Sequence, residues 1–187
     1  MTDALLLMDI QNGVVDRFGA SDDYLHRVVA AQATAEAVGI PVILVRVGFY
    51  PGYPEISPRN AVFSAIRSSG RMQLGDPDCE PHDHLLRGNG EIVVTKKRVS
   101  AFAGSDLAQI LRGYDVDHLV IAGITTSGVV LSTVREAADL DYRITVLADL
   151  CLDADEEVHR VLTEKVFPGQ ATVIDSTQWH STQGLGH

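Results

Sequence analysis

The sequence predicts an α/β fold of three layers: a six-stranded parallel sheet with helices on both faces. Three observations carry this. Short apolar runs alternate along the chain with stretches of helical period, and such alternation builds a mostly parallel sheet. The clearest runs, 4–8 (ALLLM), 41–47 (PVILVRV) and 119–122 (LVIA), are nearly continuous, as in strands covered on both faces. The stretch 119–138, LVIAGITTSGVVLSTVREAA, passes from such a strand through a tight turn directly into a helix.

That stretch organises the rest. Gly123 ends its strand. Thr125, Thr126 and Ser127 can supply the helix N-cap, because their hydroxyls can accept from the orphan N–H groups of the next turn. Val129, Val130, Thr133, Val134, Ala137 and Ala138 then recur at helical spacing. A strand feeding a helix N-terminus leaves N–H donors at the carboxyl edge of the sheet, where developing negative charge is stabilised.

Taken in order, residues 4–8 form the first strand, ending at Asp9. Residues 22–38 form an amphipathic helix closed by Gly39, and 41–47 the second strand. Residues 48–59 are rich in Gly, Pro and aromatic side chains and read as a loop long enough to cover a site. A short helix over 60–69 and an irregular polar stretch over 70–90 precede the third strand, 91–95, which ends at Lys96. A helix over 106–112 leads into the organising strand. The fifth strand spans 143–148, a helix 155–167 and the sixth strand 171–174, and the tail from about 176 is expected to be loose. No repeat or linker interrupts this pattern, so one domain over 1–187 is expected.

Composition narrows the function. Apolar residues make up 45% of the chain and the net charge is −10, which argues against nucleic acid or an anionic membrane as partner and leaves a small molecule. The apolar start MTDALLLMDIQNG is too short to span a membrane and lacks a basic leader, and Cys79 and Cys151 suggest no disulfide framework, so a cytoplasmic location is expected.

Asp9, Lys96 and the turn after Ile121 all fall at carboxyl ends of strands and should meet on one rim. Burial raises a carboxyl pKa and a neighbouring ammonium lowers it, so such a pair suits proton transfer; a capping aspartate and a solvated lysine are the plainer alternatives. Arg46, at the end of the second strand, could hold a substrate carboxylate bidentately or an acidic neighbour equally well. Phe49, Tyr50 and Phe102 are candidate pocket walls or core residues. Ser127 and Thr126 are more readily caps than nucleophiles, because the sequence shows no base beside them. His82 and His84 could bind a metal, yet no metal site is seen and no cofactor is expected; His159 reads as a packing or surface residue.

These segments resemble the isochorismatase-like (cysteine hydrolase) superfamily. Gly123, Thr126, Val130 and Thr133 fit its Gly-x-x-Thr-x-x-Cys-Val-x-x-Thr segment, with Val129 where the nucleophilic cysteine should stand. LLLMDIQNG resembles the family's first strand at Asp9 and Gln11. VVTKKRVSAFAGSDL matches its lysine segment at Lys96, Arg98, Ser100, Phe102, Gly104 and Leu107, and Asp149 and His159 stand at landmarks of its last third. The resemblance implies a strand order of 3-2-1-4-5-6, frequent homodimers or homotetramers, and a catalytic pair Asp9 and Lys96. It further implies Gln11 near the substrate, and a cis Ile124–Thr125 peptide that aims the N–H groups of Thr125 and residue 129 at one point, an oxyanion hole. A valine cannot attack a carbonyl. Members resembling true isochorismatases also lack the cysteine, carrying glycine there, and cleave a vinyl ether by protonation. The resemblance therefore implies a cysteine-less hydrolase of a small, in one reading carboxylated, metabolite, acting by vinyl-ether-type cleavage or by Asp9 activating water directly, or else a non-catalytic binding or scaffolding member that keeps the fold and pocket.

Overall fold

The structure is a computed structural model and describes residues 2–88 and 90–184. Six strands lie in one sheet: β1 (Asp3–Met8), β2 (Val42–Val47), β3 (Ile92–Lys96), β4 (His118–Ile124), β5 (Arg143–Leu152) and β6 (Thr172–Ile174), in the order β3-β2-β1-β4-β5-β6. Every pairing is parallel. The order reverses between β2-β1 and β4, so the carboxyl ends of these strands form the crevice where ligands of open parallel sheets sit.

Both faces of the sheet are covered, which is why the central strands are apolar without alternation. On one face, Leu5, Leu7, Leu44, Val120, Ala122 and Leu147 pack under α1 (Asn12–Phe18), α2 (Asp22–Ala37) and α7 (Ser176–Thr182). On the other, Ala4, Leu6, Met8, Ile121 and Val146 pack under α4 (Leu107–Gly113), α5 (Leu131–Asp139) and the segment that follows α6 (Glu156–Val161). A smaller cluster of Val47, Phe49, Tyr53, Ile56, Phe63 and Met72 joins the loop after β2 to α3 (Ala61–Ser69). At the amino edge of the sheet, His118 ties three strands: its Nδ1 lies 3.0 Å from Asp3 Oδ1 on β1 and its Nε2 2.9 Å from Thr145 Oγ1 on β5.

Three expectations change. The tail is not loose from 176: Asp175 caps α7 by accepting from Gln178 N at 2.7 Å while the Gln178 side chain accepts from Asp175 N, and Trp179 is buried against the core. Residues 185–187 of that tail lie outside the described residues. A short helix, α1, follows directly after Gln11, where no helix was expected, because only Gly13 and Val15 of its seven residues are buried and the apolar period has no length over which to repeat. β5 continues to Leu152, past a register shift opposite Ile121 and Gly123, and so carries its carboxyl end up to the turn after β4.

Gly123 is fixed by a close approach. A Cβ there would stand 2.3 Å from the Met8 carbonyl oxygen on the neighbouring strand. Gly123→Ala must therefore push β1 and β4 apart, and we expect it to cost about 2 kcal/mol or more of stability. Urea unfolding checks this, and a variant as stable as the parent would show that the two strands do not approach so closely.

Candidate active site

The rim is built from the ends of β1, β3 and β4. Asp9 follows β1 directly with φ 55°, a left-handed conformation that aspartate tolerates better than bulky or branched residues. β3 ends at Lys96, in register with Val47 of β2, and its ammonium reaches past the end of β2 to lie 2.9 Å from Asp9 Oδ2. Lys96 Nζ also donates to the Arg98 carbonyl at 3.1 Å. Lys96 is 2% exposed and Asp9 8%. Among the described residues, Asp9 Oδ1 is buried and has no hydrogen-bond partner. Burial pushes the Asp9 carboxyl up from its ordinary value, and Lys96 opposes the shift without cancelling it.

The turn after β4 leaves the strand beside β1, with Met8 in register with Gly123. The Ile124–Thr125 peptide is cis. The Thr125 carbonyl accepts from Gly128 N and Val130 N, each at 3.2 Å, closing a π-helical turn over Thr126–Val130 that runs on into α5. The Thr125 N–H donates to no group among the described residues. A Cβ on Gly128 would stand 2.5 Å from Thr125 Oγ1, so the turn closes this tightly only around a glycine.

The expected hydroxyl caps are absent, and neither Thr125 nor its neighbours cap the helix through a side chain. Thr126 is fully buried and its Oγ1 lies 2.8 Å from His159 Nδ1 on α6. Ser127 N donates to Asp153 Oδ2 at 2.7 Å. His159 is therefore neither idle surface nor simple packing, and a base does stand beside Thr126. Sequence reading missed both because α6 returns to the turn only through the three-dimensional path of β5. The clue available was an Asp and a His soon after a strand end on the same rim.

The other sequence-derived residues divide. Gln11 is fully buried but spends its amide on structure: Nε2 donates to the carbonyls of Val47 (2.9 Å) and Cys79 (2.7 Å), and Oε1 accepts from Val47 N (3.0 Å). Arg46 pairs with Glu80 and donates from Nε to Thr95 Oγ1 at 3.0 Å, so of its two readings the acidic neighbour is the one occupied. Val129 is 2% exposed, and Phe102, in the same apolar cluster, stacks on Tyr142 at 5.9 Å. Tyr50 is exposed, with Lys97 Nζ 4.4 Å from its ring centre. Its loop is strapped to the rim just after Lys96: Glu55 Oε1 accepts from Tyr50 N (2.9 Å), its carboxylate pairs with Lys97 (3.4 Å), and Arg98 donates to the Glu55 carbonyl (3.0 Å). Among the described residues no group of three His, Cys, Asp or Glu is arranged to hold a metal, and no helix is long and apolar enough to cross a membrane.

A six-stranded 3-2-1-4-5-6 sheet with a buried Asp–Lys pair facing a strand-to-helix turn is a specific arrangement. The family model described as the Isochorismatase domain matches residues 3–178. The chain belongs to the isochorismatase family of hydrolases. The uncharacterized isochorismatase family protein YecD of Escherichia coli O157:H7 is 30% identical over 176 residues, covering 92% of this chain and 91% of that protein. The ureidoacrylate amidohydrolase RutB of Methylobacterium radiotolerans is 30% identical, covering 98% of this chain and 80% of that protein. Among solved structures, N-carbamoylsarcosine amidase from Thermoplasma acidophilum superposes with a TM-score of 0.76 at 28% identity, covering 94% of this chain and 97% of that one.

The family site can be probed without a substrate. Val129→Cys should place a thiol beside the turn's donors and Lys96, both of which favour a thiolate. Burial holds the two native thiols high, Cys79 at about 11 and Cys151 at about 12. Iodoacetamide should therefore label position 129 faster than either. Labelling no faster than at those two would mean that the turn does not face a family-type site.

Proposed function

We propose that this protein hydrolyses a small, carboxylated metabolite with Asp9 as proton donor, supported by Lys96 and without a covalent cysteine intermediate. The observation that carries the reading is the buried Asp9–Lys96 pair with Asp9 Oδ1 left unpartnered. One carboxylate oxygen is held by the ammonium, which fixes the side chain, and the other is free to exchange a proton with a substrate. Val129, standing where the resemblance calls for cysteine, supports a route that needs no nucleophilic side chain. The amidohydrolase and amidase relatives act on ureido and carbamoyl compounds by their names, so a small polar acid is the substrate class that fits them.

Such a route is the cleavage of an enol ether. Protonated Asp9 gives its proton to the enol carbon, leaving an oxocarbenium ion stabilised by the Asp9 carboxylate now facing it. Water adds to the cationic carbon and loses a proton back to Asp9. The resulting hemiketal breaks its carbon–oxygen bond to release an alcohol and a carbonyl compound. Burial suits Asp9 to this role, because a raised carboxyl keeps its proton nearer neutral pH. Lys96 keeps the shift from going further and screens the charge once the proton has left.

Asp9→Asn should lower turnover by roughly a hundredfold or more, the scale of one general acid. Steady-state kinetics on a panel of small enol ethers and amides checks this, and a variant with normal turnover would remove Asp9 from the mechanism. The pH profile gives a second reading. The donor must be protonated, so activity falls as pH rises through the Asp9 pKa, which lies above the ordinary 3.8. Lys96→Met removes the cation that pulls this pKa down, so the alkaline limb should move to higher pH in that variant. A limb that stays or moves to lower pH would show that a different group sets it.

A further inference from the structure

We propose that Asp153 is a specificity-determining residue: by gripping the Ser127 N–H, its carboxylate fills the anion-attracting end of the turn with the chain's own charge. It thereby biases the site against reactions that build an oxyanion and toward those that build positive charge on the substrate. The first N–H groups of a helix together amount to about half a positive charge. Here Asp153 Oδ2 stands 2.7 Å from one of them, two residues before Val129. Asp153 lies in the short connection between β5 and α6, outside both, and among the described residues it forms no ion pair with a Lys or Arg.

The neighbouring charges do not compensate. Lys96 is engaged by Asp9 and the Arg98 carbonyl rather than by Asp153. Asp155 is committed to capping α6, accepting from Glu157 N and Val158 N. Glu156 adds a second negative charge to the start of α6, and His159 faces the turn through Thr126 Oγ1. A carboxylate held at this point opposes the tetrahedral oxyanion of amide hydrolysis and any thiolate at position 129, and it lowers the free energy of a cation formed in front of the turn. The consequence for substrate class rests on the hydrolase reading above and sharpens it to enol ether or acetal carbon–oxygen bonds rather than amide carbon–nitrogen bonds. The electrostatic claim itself needs no turnover, so the two can fail separately.

The test uses the Val129→Cys protein as reporter and iodoacetamide as probe, with labelling rate at position 129 measured against pH. Asp153→Asn keeps an oxygen acceptor for Ser127 N–H and removes the charge; Asp153→Ser does the same with a smaller side chain should the first fail to fold. Either should move the labelling midpoint to lower pH and speed labelling near neutral pH by about threefold or more. Glu156→Gln, which removes an equal charge that accepts no bond from the turn, should do neither. An unchanged profile on neutralising Asp153, or an equal shift from Glu156→Gln, would overturn the proposal.

Discussion

The buried Asp9–Lys96 ion pair is the constraint around which the rest of the rim is arranged. Taking two charges out of water costs several kcal/mol each, and their attraction repays this only where the geometry is tight. The geometry is supplied by three strands. β1 ends at Asp9, β2 spaces it from β3, and β3 ends at Lys96 in register with Val47. Gln11 fixes the end of β2 to the loop at Cys79 through three hydrogen bonds, and Glu55 straps the following loop to Lys97 beside the pair. None of this polar network points at substrate. It holds the ends of neighbouring strands at the spacing that the pair requires.

The turn after β4 follows the same logic of committed polar groups. It closes around Gly123 and Gly128, where a Cβ would stand 2.3 Å from the Met8 carbonyl oxygen and 2.5 Å from the Thr125 hydroxyl respectively. Its hydroxyl and its Ser127 amide are taken up by His159 and Asp153, leaving the Thr125 N–H as a donor without a partner inside the described protein. Among the described residues, Asp9 Oδ1 is left without an acceptor bond and the Thr125 N–H without a partner. Val129, 2% exposed in the same turn, offers no nucleophilic atom.

Much of this was legible in the sequence, for identifiable reasons. Continuous apolar runs such as ALLLM and LVIA have few alternatives to a doubly covered parallel strand, and their carboxyl ends deliver Asp9, Lys96 and the turn to one edge whatever the loops do. What escaped was everything that depends on a return path. α6 reaches the turn only because β5 extends to Leu152, and β5 extends through an irregularity that no periodicity announces. Hence His159 looked idle and Asp153 drew no notice, while Ser127 and Thr126 looked like caps. Arg46 illustrates the remaining ambiguity: its position was readable, but the choice between substrate and Glu80 depends on where the irregular stretch 70–90 folds back.

The central claim is that burial raises the Asp9 carboxyl above its ordinary value even with Lys96 beside it. Infrared difference spectroscopy of protein labelled at aspartate carboxyl carbons, compared with the Asp9→Asn variant across pH, measures this directly. The account predicts a protonated carboxyl band, absent from the variant, that titrates with a midpoint above the ordinary 3.8 and moves higher still in Lys96→Met. A band for Asp9 that titrates at or below the ordinary value, with Lys96 intact, would contradict it.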